Sequence, residues 1–261
     1  MKYKNKLIIL LFISVILTTL FSSSCTKSSN SGGTTGTFYI HLHTDIDTNE
    51  VADTTVLYRD AMGRHFSLKT VQFFLSNIVL QNANGTTYSV ANAVVLKDID
   101  SEAYIIGNAP IGAYTSVSFN VGLDSSTNTK TPGFFNTNGY IPTSAMWYGT
   151  VTKGYNFMKL QGYADTTIMQ TGVNPVSFSY LIGSEANLRK VTMPIRSANT
   201  AYKPYLLTAN SIVYIHIICD YGNLLSVVNF NTQYSTDSYT LNPSIATKIA
   251  NNIPNMFHYE E

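Results

Sequence analysis

The chain carries little charge of either sign. Lys and Arg number 16, Asp and Glu 15, and charged residues are only 12% of 261. A net charge of +1 provides no basic surface to neutralise phosphates, which argues against nucleic acid as a partner. Cysteine is scarce. Cys25 and Cys219 are the only two, and no disulfide framework follows from them. No apolar run reaches the roughly 20 residues that a membrane-spanning helix needs. Familiar catalytic signatures are missing too: there is no Gly-x-Ser-x-Gly elbow and no His-Glu-x-x-His pair. The chain therefore reads as a binding protein, not an enzyme.

What is there begins with a leader. Lys2, Lys4 and Lys6 precede an apolar stretch from Leu7 to Phe21, and Ser22, Ser23 and Ser24 then lead into Cys25. This order resembles a bacterial lipoprotein signal, in which the cysteine becomes the lipidated first residue of the mature chain. An ordinary cleaved signal peptide is the plainer alternative. The expected organisation is a signal over 1–24, a small, polar, flexible tether over 25–36 and one domain over 37–261. A lipidated Cys25 would tie the protein to a membrane, with the outer membrane of a Gram-negative cell envelope as the expected place, facing the periplasm or the outside. Cys219, inside the apolar run "IVYIHIICDY", reads as a buried core thiol.

The domain is rich in strand formers, with 18 Tyr and 13 Phe. Candidate strands are "TFYIHLHT", "TVLYRDA", "HFSLKTVQFFLSNIVLQ", "VVLKDI", "YTSVSFNVGL", "YNFMKLQGYA", "VSFSYLI", "RKVTMPI" and "SIVYIHIICDY". Asn-Gly in "NANGT" marks a hairpin, and "DAMGRH" a second turn. One late segment, 242–257, has Ile245 and Ile249 at helical spacing behind Asn242 and Pro243, with Pro254 as a stop. The expected fold is all-β: an antiparallel β-sandwich with a short C-terminal helix. Residues 124–150 form the longest stretch without a convincing strand. They contain Phe134, Phe135, Tyr140 and the only tryptophan, Trp147.

His41 and His43 stand two apart in "IHLHTDID", followed by Asp45 and Asp47 at the same spacing. On a strand they share one face, and neutral imidazoles so placed suit copper or zinc. The same alternation is also what the solvated face of a half-buried strand displays. His216 alternates in the same manner within its apolar strand and reads as an interior histidine, unless it meets His41 or His43 across a sheet. His65 and His258 read as exposed. Met146, Met158 and Met169 read as packing residues with a lesser claim as thioether ligands.

Four segments in order resemble one family, the MbnP-like copper-binding proteins. They are "LKTVQFFLSNIVLQ" (68–81), "GAYTSVSFNVGLDSSTN" (112–128), "AMWYGTVTKGYNFMKLQG" (145–162) and "IATKIANNIPNMF" (245–257). The resemblance implies a β-sandwich in the periplasm or on the cell surface. It also implies copper held by two histidines and an oxidised tryptophan, with a di-haem peroxidase-type enzyme as the partner that oxidises it. Trp147 is the position that matches. Those copper binders carry a histidine two residues from the tryptophan, whereas Ala145 and Gly149 stand there in this chain. The expected ligand set is thus His41, His43, His216 and Trp147, with copper as the ion. The alternative is a surface lipoprotein without the metal site that uses loop 124–150 to bind a partner protein or small ligand.

Overall fold

The computed structural model describes residues 33–46, 49–50, 58–60, 63–137, 144–167, 169, 175–199 and 201–260. The leader, Cys25, most of the tether, Asp47 and Tyr140 lie outside the described residues. Gly33–Glu261 forms one compact unit. Its strands are, in chain order, β1 (Thr35–Ile46), β2 (Asn49–Glu50), β3 (Tyr58–Arg59), β4 (His65–Asn82), β5 (Thr87–Ser89), β6 (Val95–Lys97), β7 (Ala103–Pro110), β8 (Gly112–Val121), β9 (Asn156–Asp165), β10 (Pro175–Gly183), β11 (Arg189–Thr192), β12 (Tyr205–Leu207), β13 (Ile212–Asp220), β14 (Ser235–Asp237) and β15 (Phe257–Tyr259).

They make two sheets. The smaller runs β15-β13-β1-β2, with β7 also on β1. The larger runs β11-β8-β4-β9-β10-β14, with β12 on β8 and β3, β5 and β6 on β4. The all-β sandwich is as the sequence implies, and most neighbours are antiparallel. Two pairs, β1 with β13 and β10 with β14, run parallel. The connections that permit this are long, so local turn signals did not reveal them.

Alternation decides which face of each strand is buried. On β1, Phe38, Ile40, Leu42 and Ile46 are fully buried, while Tyr39, His41, His43 and Asp45 point outward and are half-buried. Burying each large apolar side chain contributes roughly 1.5–3 kcal/mol. On β13, Ile215, Ile217 and Cys219 face the same core, and Tyr214, His216 and Ile218 face out. The buried thiol is pushed up to about 12 by desolvation, only partly opposed by Lys97. Cys219 is therefore an inert thiol held in its protonated form.

The longest strand, β4, is bent by a bulge where its register with β8 shifts between Ser76 and Val79. Asn77 takes the left-handed conformation there, φ 50°, which asparagine tolerates better than most residues. The Ser76 hydroxyl donates to the Gly122 carbonyl at 2.7 Å, and the Gly122 N–H donates to the Phe74 carbonyl at 2.9 Å. Gly122 has φ +120°, and a Cβ there would lie 2.5 Å from Phe157 and 2.8 Å from Leu188. Only glycine fits.

The "NANGT" turn closes with Gly85 donating to Asn82 and Asn82 donating to Thr86, and it joins β4 to β5. The C-terminal helix spans Pro243–Asn252 and buries Ala246, Ile249 and Ala250. It then tightens into a 3₁₀ turn, Ile253–Met256, because Pro254 lacks the N–H that an α-helix needs. Asn242 does not cap the helix through its side chain. It sits left-handed at φ 49° and donates instead to the Ser235 carbonyl at 3.3 Å. Within 124–150, short helices form at Ser125–Asn128, Pro132–Thr137 and Ser144–Met146.

Candidate metal centre

The parallel pairing of β1 with β13 sets His41 directly beside His216, and His43 beside Ile218. All three imidazoles leave the outer face of the smaller sheet. Their rings form one group, with centroids 4.3 Å apart for His41 and His43, 4.9 Å for His41 and His216, and 6.1 Å for His43 and His216.

Two carboxylates close on this group from opposite sides. Glu102 precedes β7, and its carbonyl accepts the Leu42 N–H at 2.9 Å. That anchors its side chain 3.3 Å from His41 Nε2 and 3.7 Å from His43 Nδ1. Glu260 follows β15, and its N–H donates to the His216 carbonyl at 3.3 Å. Its Oε2 lies 2.9 Å from His216 Nδ1 and 3.1 Å from His43 Nε2. The Arg196 guanidinium donates to the Glu260 carbonyl at 3.2 Å and is packed among Tyr202, Tyr205 and Tyr259, which holds the end of β15 in place.

His41, His43, His216 and Glu260 each offer one donor atom, and these atoms all lie within 4.8 Å of one another. His41 Nδ1 is buried with no hydrogen-bond partner among the described residues, and His43 Nε2, although near Glu260, lacks hydrogen-bond alignment. Orphaned imidazole nitrogens of this kind normally have a partner, and a cation would supply one. The His41 pKa is lowered by desolvation and by its neighbours His43 and His216, against the opposing pull of Glu102 and Glu260. That keeps its ring neutral, the form that ligates metal. Glu102 lies closest to His41 and farther from His43, a position from which a carboxylate can orient an imidazole ring.

Trp147 does not join this group through any described ring contact, hydrogen bond or ion pair. It pairs with Tyr155 in an isolated bridge, with ring centroids 4.8 Å apart, and packs on a second apolar cluster of Phe74, Leu123, Met146, Tyr155 and Phe157. Met146 and Met158 are fully buried and Met169 is 80% exposed. His258 is exposed. The two carboxylates were not legible as site residues. Glu260 sits in a charged tail that reads as solvated, and β7, which brings Glu102 to the sheet, has no strong strand pattern.

An outward cluster of three imidazoles and a carboxylate on a β-sandwich defines the class: an all-β protein with a group on one sheet face that could hold a metal ion. A sequence profile of the MbnP family matches residues 35–243, and the chain belongs to that family. Among solved structures it is similar to MbnP from Methylosinus trichosporium, with TM-score 0.53 and 14% identity over 79% of this chain and 82% of that one. At that identity the likeness concerns the fold. No curated protein sequence matches the chain significantly. Glu260 lies beyond the residues that the family profile matches.

Proposed function

We propose that this is a lipid-anchored, extracytoplasmic copper-binding protein that takes one ion between His41, His43, His216 and Glu260. The observation that carries the reading is the convergence of these four donors within 4.8 Å. Three imidazoles and a carboxylate, without sulfur, suit a borderline divalent ion. Among the common divalent ions Cu²⁺ binds such donors most tightly, with Zn²⁺ behind it. The resemblance carried by the sequence motifs implies copper as well. Cys25 would supply the anchor and residues 26–34 the tether, since Thr35 and Gly36 already pair in β1, holding the domain at the outer membrane. The role is binding, not catalysis. A di-haem peroxidase-type partner belongs to the reading only if Trp147 is oxidised, which mass spectrometry of the native protein would reveal as a shift on the peptide containing it.

The test is elemental analysis of the mature protein, residues 25–261, purified from the native envelope without added metal. Near-stoichiometric copper is expected, and His41→Ala with His43→Ala should empty the site. No transition metal, and none retained after challenge with copper, would overturn the reading.

A further inference from the structure

The outer face of the larger sheet carries a hollow of about 450 Å³ across β4, β9 and β10 and the start of β14. Its two sides are aromatic: Tyr163 is 42% exposed and Tyr234 47%. Between them lie Gln161, Ser177 and Ser179, with the Gln161 amide donating to the Ser179 hydroxyl at 3.1 Å. Strand register fixes the layout. Tyr163 pairs with Ser177, Gln161 with Ser179, and Ser179 with Ser235, while the Tyr234 carbonyl accepts the Ser179 N–H. From β9 to β14 is two strand spacings, about 10 Å. Lys69 lines the hollow and also a second one of about 230 Å³, shared with Thr70, Gln72, Asp98 and Asp100. The two hollows thus share Lys69 of β4 as a common lining residue.

We infer that the larger hollow binds a neutral oligosaccharide. The floor is sheet interior, where the backbone groups of β4, β9 and β10 are already paired, so a peptide cannot add to it as a strand. An anion would meet a single lysine with Asp98 and Asp100 beyond it. A purely apolar ligand would strand the hydroxyls and amide of the floor. A sugar chain fits both features: its ring faces stack on exposed tyrosines, which combine an apolar face with a polar tip, and its hydroxyls exchange hydrogen bonds with Gln161, Ser177 and Ser179. The two tyrosine sides stand about two strand spacings apart, about 10 Å, which favours several sugar units over one. This site is on the opposite sheet from the histidine group and does not depend on it.

The test is to titrate isotope-labelled 26–261 with cellohexaose, xylohexaose, mannohexaose and maltohexaose, and with tetragalacturonate as the charged control. At least one neutral hexasaccharide should shift the resonances of Tyr163, Ser177 and Tyr234. Tyr163→Ala and Tyr234→Ala should each weaken that binding about tenfold, with melting temperatures lowered only slightly because both side chains are about half exposed. His41→Ala should leave it untouched. No response to any neutral hexasaccharide, tighter binding of tetragalacturonate, or binding indifferent to both tyrosine substitutions would each overturn the inference.

Discussion

Two ring clusters of this molecule invite comparison. At one, His41, His43 and His216 project from the outer face of the smaller sheet between Glu102 and Glu260. At the other, Trp147 and Tyr155 pack with Phe74 and Phe157 at one end of the larger sheet. The first has nitrogen lone pairs, carboxylates and partial exposure, so it can hold a cation. The second has apolar neighbours and so contributes packing. Three of the four segments that resemble the family reach the second, through Phe74, Leu123, and Met146 with Tyr155 and Phe157, while the fourth, in the C-terminal helix, packs in the main core. Ser76, Gly122, Asn128 and Tyr155 are tied there by hydrogen bonds, including the Tyr155 N–H to Asn128 at 2.8 Å. Asp124 accepts from the Thr127 N–H and caps the short helix that positions Asn128. The most recognisable residues of the chain are thus its scaffold, and the residues with ligating chemistry lie elsewhere.

Breaking the scaffold end should have the largest effect. Gly122→Ala forces a side chain against Phe157 and Leu188 in a backbone conformation that alanine avoids. A loss of about 2–4 kcal/mol in unfolding free energy is expected, measured by urea denaturation, with copper affinity unchanged in the protein that remains folded. At the other end, Glu102→Gln should lower copper affinity roughly 10–100-fold through the loss of ring orientation, read by competition with a chelator, while the melting temperature of the metal-free protein barely moves. Trp147→Phe should cost about 1 kcal/mol of stability through lost packing and leave copper affinity alone. A large loss of copper on that substitution would join the two clusters that the structure keeps apart.

The smallest effect concerns pH. The folded His41 pKa is depressed, so the unfolded chain takes up this proton more readily than the folded one. Metal-free stability should therefore fall slightly as pH drops below the unfolded imidazole value of about 6.5. Copper loading should fall in the same direction as protons compete for the imidazoles. Thermal melts and metal titrations between pH 5 and pH 8, about the range in which histidine changes charge, would check both.

The sandwich and its C-terminal helix were legible because alternation and helical spacing are local signals. Strands such as "IHLHTDI" and "YIHIICD" declare their buried faces residue by residue. His41 and His43 were readable as a possible chelate for the same reason, since one strand carries both. His216 belonged to the expected ligand set, but the parallel pairing that sets it beside His41, between segments about 175 residues apart, left no local signal. Glu102 and Glu260 were harder still, since each owes its place to backbone bonds from a strand end, to Leu42 and His216 respectively. Trp147 misled in the opposite sense: its motif was clear, yet the structure gives it apolar neighbours.

The most direct test of the metal centre is pulsed electron paramagnetic resonance on residues 26–261 loaded with one equivalent of Cu²⁺. A single copper species with three imidazole nitrogens is expected, losing one nitrogen in each of His41→Ala, His43→Ala and His216→Ala, and unchanged in Trp147→Phe. A signal with fewer than three imidazoles, or one indifferent to these histidines, would contradict the proposed metal centre.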